Sequence, residues 1–317
     1  MTSPDHVIPF AIKPLGVRGR LVRLGAVVDD ILSKHDYPES VSALVAEAVA
    51  LTAMLGTTLK FNGKFIFQTK TDGPVSMLVA DYISPGQVRG MAKFDRARVE
   101  ALKNPKQKDL LGEGYLAMTI DQGPDMERYQ GIVSLDDSTL ADAAHTYFLQ
   151  SEQIPTRLRV AAGPMLTRGE KAPHWRAGAI LVQHLPSEGG SSPIPEQAGD
   201  APEGIVPEVQ ENDNWVKARL LLDTVEDHEL LDPSLTSEEL LYRLYHEDGV
   251  TVFPTIPVTR HCTCSHETVE AMLRNFPKDD RADMVKDSTI EVVCEFCSTA
   301  YRFKPEDFEQ AGSAKVE

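Results

Sequence analysis

The chain has 317 residues, 48 acidic and 32 basic, for a net charge of -16. That surplus of carboxylates opposes a nucleic-acid partner, whose phosphates need a clustered basic face, and it favours solubility. With 42% hydrophobic and 25% charged residues the composition is that of a globular protein. No apolar run approaches the roughly 20 residues that span a bilayer. Residues 1–10 lack the basic start and apolar stretch of a signal peptide. A cytoplasmic location is therefore expected, with neither membrane nor nucleic acid as a partner. Thiols stay reduced there, so clustered cysteines point to metal or redox chemistry before structural disulfides.

In chain order, the first long helical pattern runs over 38–59, where Val41, Leu44, Val45, Ala48, Thr52, Leu55 and Leu59 recur at helical spacing. Pro38 suits an early helical position. Strands follow over 64–70, 75–81 and 88–94, rich in Phe, Ile and Val, with turns at Asn62-Gly63 and Asp72-Gly73-Pro74. Residues 115–120 and 130–135 extend the sheet. A helix is predicted over 138–150 with Asp137 or Ser138 as its cap, then strands over 157–162 and 177–185. Helices mixed with hairpin-connected strands make this an α+β fold whose first, mixed α/β domain ends near residue 185.

Residues 186–210 hold five prolines among Gly, Ser and Glu, a composition that buries too little apolar surface to order itself. Helical patterns return at Trp215, with Asn214 or Asp213 as a cap. Thr236-Ser237-Glu238-Glu239 forms a capping-box pattern that opens a second helix ending before Gly249. Leu220, Leu221, Leu240, Leu241 and Leu244 lie here among many carboxylates. The pattern is that of an amphipathic pair packed on the first domain, whose apolar face becomes a binding surface if that packing is lost. The divisions expected are 1–185, a tether and helical linker over 186–257, and a small C-terminal domain over 258–317.

All four cysteines lie in that last segment: Cys262-Thr263-Cys264, 29 residues, then Cys294-Glu295-Phe296-Cys297. Each close pair supplies two thiolates from one turn, and the two turns together complete a tetrahedral zinc site. One Zn²⁺ per chain is expected on Cys262, Cys264, Cys294 and Cys297 in the reduced state. His261 and His266 are alternative ligands that a complete thiolate shell does not need. Between the pairs the pattern predicts a helix over 265–275, a second short helix over 279–286 and a strand over 289–293. Cys294 to Cys297 would sit at a hairpin knuckle before a strand over 301–303. Spacing alone leaves a structural zinc site and a redox switch both open, because the Cys-x-Cys sulfurs are also close enough to oxidise locally.

Several stretches together carry a resemblance. They are Gly19-Arg20-Leu21-Val22-Arg23-Leu24, Thr58-Leu59-Lys60-Phe61-Asn62-Gly63, Asp72-Gly73-Pro74-Val75, Tyr147 to Thr156 (YFLQSEQIPT), Glu238 to Glu247 (EELLYRLYHE), and the two cysteine pairs. With them the chain, from about residue 20 to 308, resembles the redox-regulated heat shock protein 33 family of bacterial holdase chaperones. The proline-rich stretch 186–210 looks longer than is usual there. The resemblance implies an N-terminal α/β domain, a helical linker and a C-terminal zinc-binding redox domain. It implies a non-enzymatic, ATP-independent chaperone that binds unfolding client proteins under oxidative stress. Such a protein is zinc-bound and silent when reduced, and active once Cys262–Cys264 and Cys294–Cys297 disulfides form and zinc leaves. It also implies a homodimer when oxidised.

Structural zinc is worth on the order of 10–16 kcal/mol, against about 5 kcal/mol for a small domain, so metal loss should unfold the tail. The rival readings are a thiol-disulfide oxidoreductase at Cys294 and Cys297, which would need the motif at a helix N-terminus, and a purely structural zinc-ribbon binding protein.

Overall fold

The structure, a computed structural model, describes residues 5–58, 62–123, 126–136, 138–166, 171–185 and 212–308. The proline-rich stretch 186–210, Asp137 and the Leu59-Lys60-Phe61 part of the predicted first helix and its following motif lie outside the described residues. The chain divides into two compact units, Met1–Arg260 and His261–Glu317.

The first unit opens with strands β1 (His6–Ile12) and β2 (Val17–Leu24), then α1 (Ala26–Leu32) and the long α2 (Glu39–Gly56). Pro9, Gly16 and Gly19 interrupt the hydropathy pattern over β1 and β2, so the sequence alone shows no strand there. Pro9 falls in the break between two short antiparallel partners of β1, where a missing N–H costs least. Next come β3 (Lys64–Thr71), β4 (Val75–Ile83), β5 (Gln87–Phe94), α3 (Arg96–Glu100), α4 (Gln107–Leu111), β6 (Gly114–Asp121) and β7 (Tyr129–Ser134). α5 (Leu140–Tyr147) runs into a π-helical turn at Phe148–Glu152 and is followed by β8 (Thr156–Met165) and β9 (His174–His184). The unit closes with α6 (Asp213–Asp223), α7 (Asp227–Leu231), α8 (Ser237–Tyr245) and three two-residue strands, β10 (Thr251–Val252), β11 (Ile256–Pro257) and β12 (Thr259–Arg260).

Some local expectations shift. Pro38 is the N-cap of α2 and not a helical residue. Thr139 caps α5, its side chain accepting from Asp142 N–H. Asn212 caps α6, accepting from the N–H groups of Asn214 and Trp215. In each case the cap lies within two residues of the predicted position, since neighbouring polar side chains compete for the same exposed N–H groups.

Two six-stranded sheets form the frame. The first has the order β10-β1-β2-β9-β8, with β11 also on β1; the second is β12-β5-β4-β3-β6-β7. Helix α2 packs against strands of both sheets, which explains why it is apolar all round. By length and composition it could cross a membrane, contrary to the expectation that no run comes near that length. Here 78% of it is buried inside the protein.

The first sheet is buried on both faces. Val22 and Leu24 of β2 and Ala177, Ala179 and Leu181 of β9 join the core around α2. Their alternates Val17, Leu21, Ile180 and Val182 join a second core with Ile8, Phe10 and Ile12 of β1. The uninterrupted apolar run 177–182 is the sequence mark of such a doubly covered strand.

Helices α6, α7 and α8 cover the second face. Trp215, Ala218, Leu222, Leu230, Leu240, Leu241 and Tyr245 are all buried there. The Tyr245 hydroxyl donates to the Ala218 carbonyl at 3.1 Å. Arg157 pairs with Asp223 at 2.6 Å and Arg159 with Asp227 at 3.1 Å, tying β8 to the helices.

In the second unit, α9 (His266–Arg274) and α10 (Lys278–Asp283) precede the antiparallel sheet β13 (Val285–Lys286), β14 (Thr289–Val293) and β15 (Ala300–Phe303). The short helix predicted over 279–286 ends at Asp283, and its last residues are strand β13. Asp287 and Ser288, both at positive φ, turn β13 into β14, the geometry of a two-residue hairpin loop.

Candidate metal centre

The second unit has a small core: Val269, Leu273, Ile290, Phe303 and Phe308 are its buried hydrophobic cluster. Among the described residues so small a core supplies little stability by itself, and folds of this size commonly add a staple. Both cysteine pairs sit at its turns. Cys262 and Cys264 lie just before α9, whose N-cap Ser265 accepts from Thr268 N–H. Cys294 and Cys297 lie in the knuckle between β14 and β15, closed by Cys294 N–H to the Thr299 carbonyl at 2.9 Å and Ser298 N–H to the Cys294 carbonyl at 2.8 Å.

The fold brings all four sulfurs together. Cys262 Sγ is 3.2 Å from Cys264 Sγ and 3.7 Å from Cys294 Sγ, and Cys264 Sγ is 3.3 Å from Cys297 Sγ. All four ligand atoms lie within 4.8 Å of one another, and all four cysteines are free. Metal–sulfur bonds of about 2.3 Å to a tetrahedral zinc place sulfurs about 3.8 Å apart, so the donor set and its spacing fit that ion. The His266 ring packs 4.4 Å from that of Phe303 and is not part of this cluster of ligand atoms.

Two contacts that spacing could not show surround the sulfurs. The Tyr301 hydroxyl donates to Cys264 Sγ at 3.2 Å, and Thr299 Oγ1 lies 3.2 Å from Cys297 Sγ. Without a cation the thiols differ in acidity. Burial opposes the Cys297 thiolate, but hydrogen bonds from the Thr299 side chain and backbone and from the neighbouring thiols outweigh it and bring the group down to about 6. Burial pushes the Cys264 thiol up to about 12 and raises Cys294 as well. A bound divalent cation would deprotonate all four.

The Cys294–Cys297 motif is flanked by strands on both sides and does not open a helix, so it lacks the setting of a dithiol oxidoreductase. Of the linker leucines, Leu240, Leu241 and Leu244 are buried at 1%, 0% and 9% exposure, Leu221 is half-buried, and Leu220 is 54% exposed. The residues that receive them are Ile8, Phe10, Leu21, Ile180 and Val182; the solid apolar run of β9 is the sequence signal that could have found Ile180 and Val182.

A family model described as "Hsp33 protein" matches residues 5–304. The 33 kDa chaperonin of Caulobacter vibrioides is 42% identical over 306 residues, covering 95% of each chain. That of Escherichia coli is 33% identical over 312 residues, 98% of this chain and 96% of the other. The crystal structure of the 33 kDa chaperonin (Heat shock protein 33 homolog) of Thermotoga maritima superposes with a TM-score of 0.77 over 97% of both chains at 21% identity, a likeness of fold.

Proposed function

We propose, from the premise that this chain belongs to the Hsp33 family of chaperones, that it is a redox-switched, ATP-independent holdase. Reduced, it holds one Zn²⁺ on Cys262, Cys264, Cys294 and Cys297 and keeps its client surface covered. The observation that carries this reading is the cluster of four free thiols within 4.8 Å of one another.

Bound zinc would keep all four sulfurs as thiolates, the form that oxidants attack. Cys262 with Cys264, and Cys294 with Cys297, then form the two disulfides. In each, two thiolates give up two electrons and one S–S bond forms. One peroxide O–O bond breaks and, with two protons from solvent, becomes two waters. With both pairs oxidised no thiolate remains to hold the cation. Disulfides that close such small loops restore little of the lost stability.

The client surface in this reading is the second face of the first sheet together with the apolar side of α6–α8. In the reduced protein each covers the other. Between α8 and Cys262 the chain is held by β10, β11 and β12, two residues each. Such short pairings are marginal, so unfolding of the tail loosens the linker before it in sequence. The exposed leucines and their sheet face form an apolar patch able to hold unfolding chains, while the net charge of -16 keeps the complex dissolved. Oxidised chains with such a patch would pair as homodimers in the absence of client.

The test is suppression of aggregation of a thermally unfolding client. Peroxide-treated protein should suppress it and the reduced, zinc-loaded protein should not. Equal activity in both states would overturn the switch.

A further inference from the structure

A cavity of about 320 Å³ lies between the first sheet and the helices docked on it. Arg23, Arg176 and Ile8 line it from the sheet side; Leu230, Leu235 and Ser237 line it from α7, α8 and the turn between them. Arg23 is only 8% exposed. Its Nη1 donates to the Asp232 carbonyl at 2.9 Å. Its Nε and Nη2 are buried and have no hydrogen-bond partner among the described residues, and the same holds for Nε of half-buried Arg176.

Unsatisfied buried donors are costly, charged ones most of all, so a site that keeps three of them needs a reason. Nε and Nη2 share one edge of the guanidinium plane. Their parallel N–H groups match two oxygens of a carboxylate or phosphate. Three nearby carboxylates are already engaged. Asp5 accepts from the N–H groups of Gly25 and Val27. Glu229 accepts from Glu226 N–H and pairs with Arg243. Asp232 accepts from Ser234. Glu238 lines the cavity as an exposed side chain.

We propose that this cavity binds a small organic anion, with a carboxylate or phosphate head held by the free edge of Arg23 beside Arg176 and a short apolar body against Leu230 and Leu235. One wall belongs to the linker helices, so the bound anion fastens them to the sheet. A ligand that binds only the docked form shifts docking by a factor of one plus its concentration over Kd, about a hundredfold at 100 times Kd. The anion therefore raises the oxidant dose needed for activation, a consequence that rests on the linker-release reading above.

The probes are phenyl phosphate, phenylacetate, inorganic phosphate and benzyl alcohol, titrated by calorimetry into the reduced, zinc-loaded full-length protein. One molecule of an aromatic anion should bind saturably, with phenyl phosphate and phenylacetate distinguishing the phosphate from the carboxylate head. Inorganic phosphate and benzyl alcohol, each lacking one half of the ligand, should bind at least about tenfold more weakly. Arg23→Lys keeps the charge but loses the fork, and should weaken anion binding by about tenfold or more. Arg176→Gln, at a half-buried position, gives the same readout if the Arg23 variant does not fold. No saturable binding to the wild type, or unchanged affinity in both variants, overturns the site. Hydrogen exchange reads the coupling: α7 and α8 should exchange more slowly with anion bound. Binding without that protection overturns the fastening role. Failure of peroxide to activate the anion-free protein would instead count against the holdase reading and leave these binding results standing.

Discussion

The carbonyl oxygen of Leu230 lies 2.5 Å from where a Cβ on Gly178 would stand. Helix α7 thus rests directly on the backbone of β9, and Gly178 is the position that lets it. Placing a side chain at residue 178 moves a main-chain atom, not a flexible side-chain end.

Gly178→Val should therefore wedge the linker off the sheet, costing docking about 1–3 kcal/mol by overpacking while leaving the cysteine cluster untouched. The reduced variant should suppress client aggregation without peroxide. Hydrogen exchange should quicken in α6–α8 and stay unchanged in α2. A silent variant with α6–α8 as protected as in the wild type would refute the docking account.

The linker leucines should differ sharply in effect. Leu241 is fully buried and Leu220 is 54% exposed. Leu241→Ala should destabilise docking by about 2–5 kcal/mol and give activity in the reduced state, because most of the apolar surface remains. Leu220→Ala should leave the reduced protein silent. Equal behaviour of the two variants in an aggregation assay would separate client binding from linker packing.

Elemental analysis of the reduced protein should find one zinc per chain. Cys294→Ser removes a ligand, and should weaken binding by more than the roughly 10–100-fold that loss of an outer-shell partner costs. Full retention of the metal in that variant would rule out the four-thiolate shell.

Peptide mapping after peroxide should recover Cys262 joined to Cys264 and Cys294 joined to Cys297. The cross-pair sulfurs are also near, at 3.7 Å for Cys262–Cys294 and 3.3 Å for Cys264–Cys297. The pairing therefore decides between a switch that frees the two turns from each other and one that locks them together. Predominant Cys264–Cys297 linkage would favour the lock and count against unfolding of the tail.

The features legible in the sequence are those set by near neighbours. Cys262 and Cys264, like Cys294 and Cys297, are separated by only one or two residues, so each pair has the spacing of a chelating half-site whatever the rest of the chain does. The capping box from Thr236 to Glu239 forms as predicted because its bonds span three residues. The hairpin strands flanking Asp72-Gly73-Pro74 are equally local. What the sequence leaves open depends on residues far apart. That α2 lies between two sheets, that the first sheet has two buried faces, and that Arg23 meets the linker at Asp232 are contacts across many tens of residues. Hydropathy marks Leu241 and Ile180 as apolar, but burial is non-directional. Only the packed sheet decides that they share one core, and that Gly178 is where a helix can come down on it.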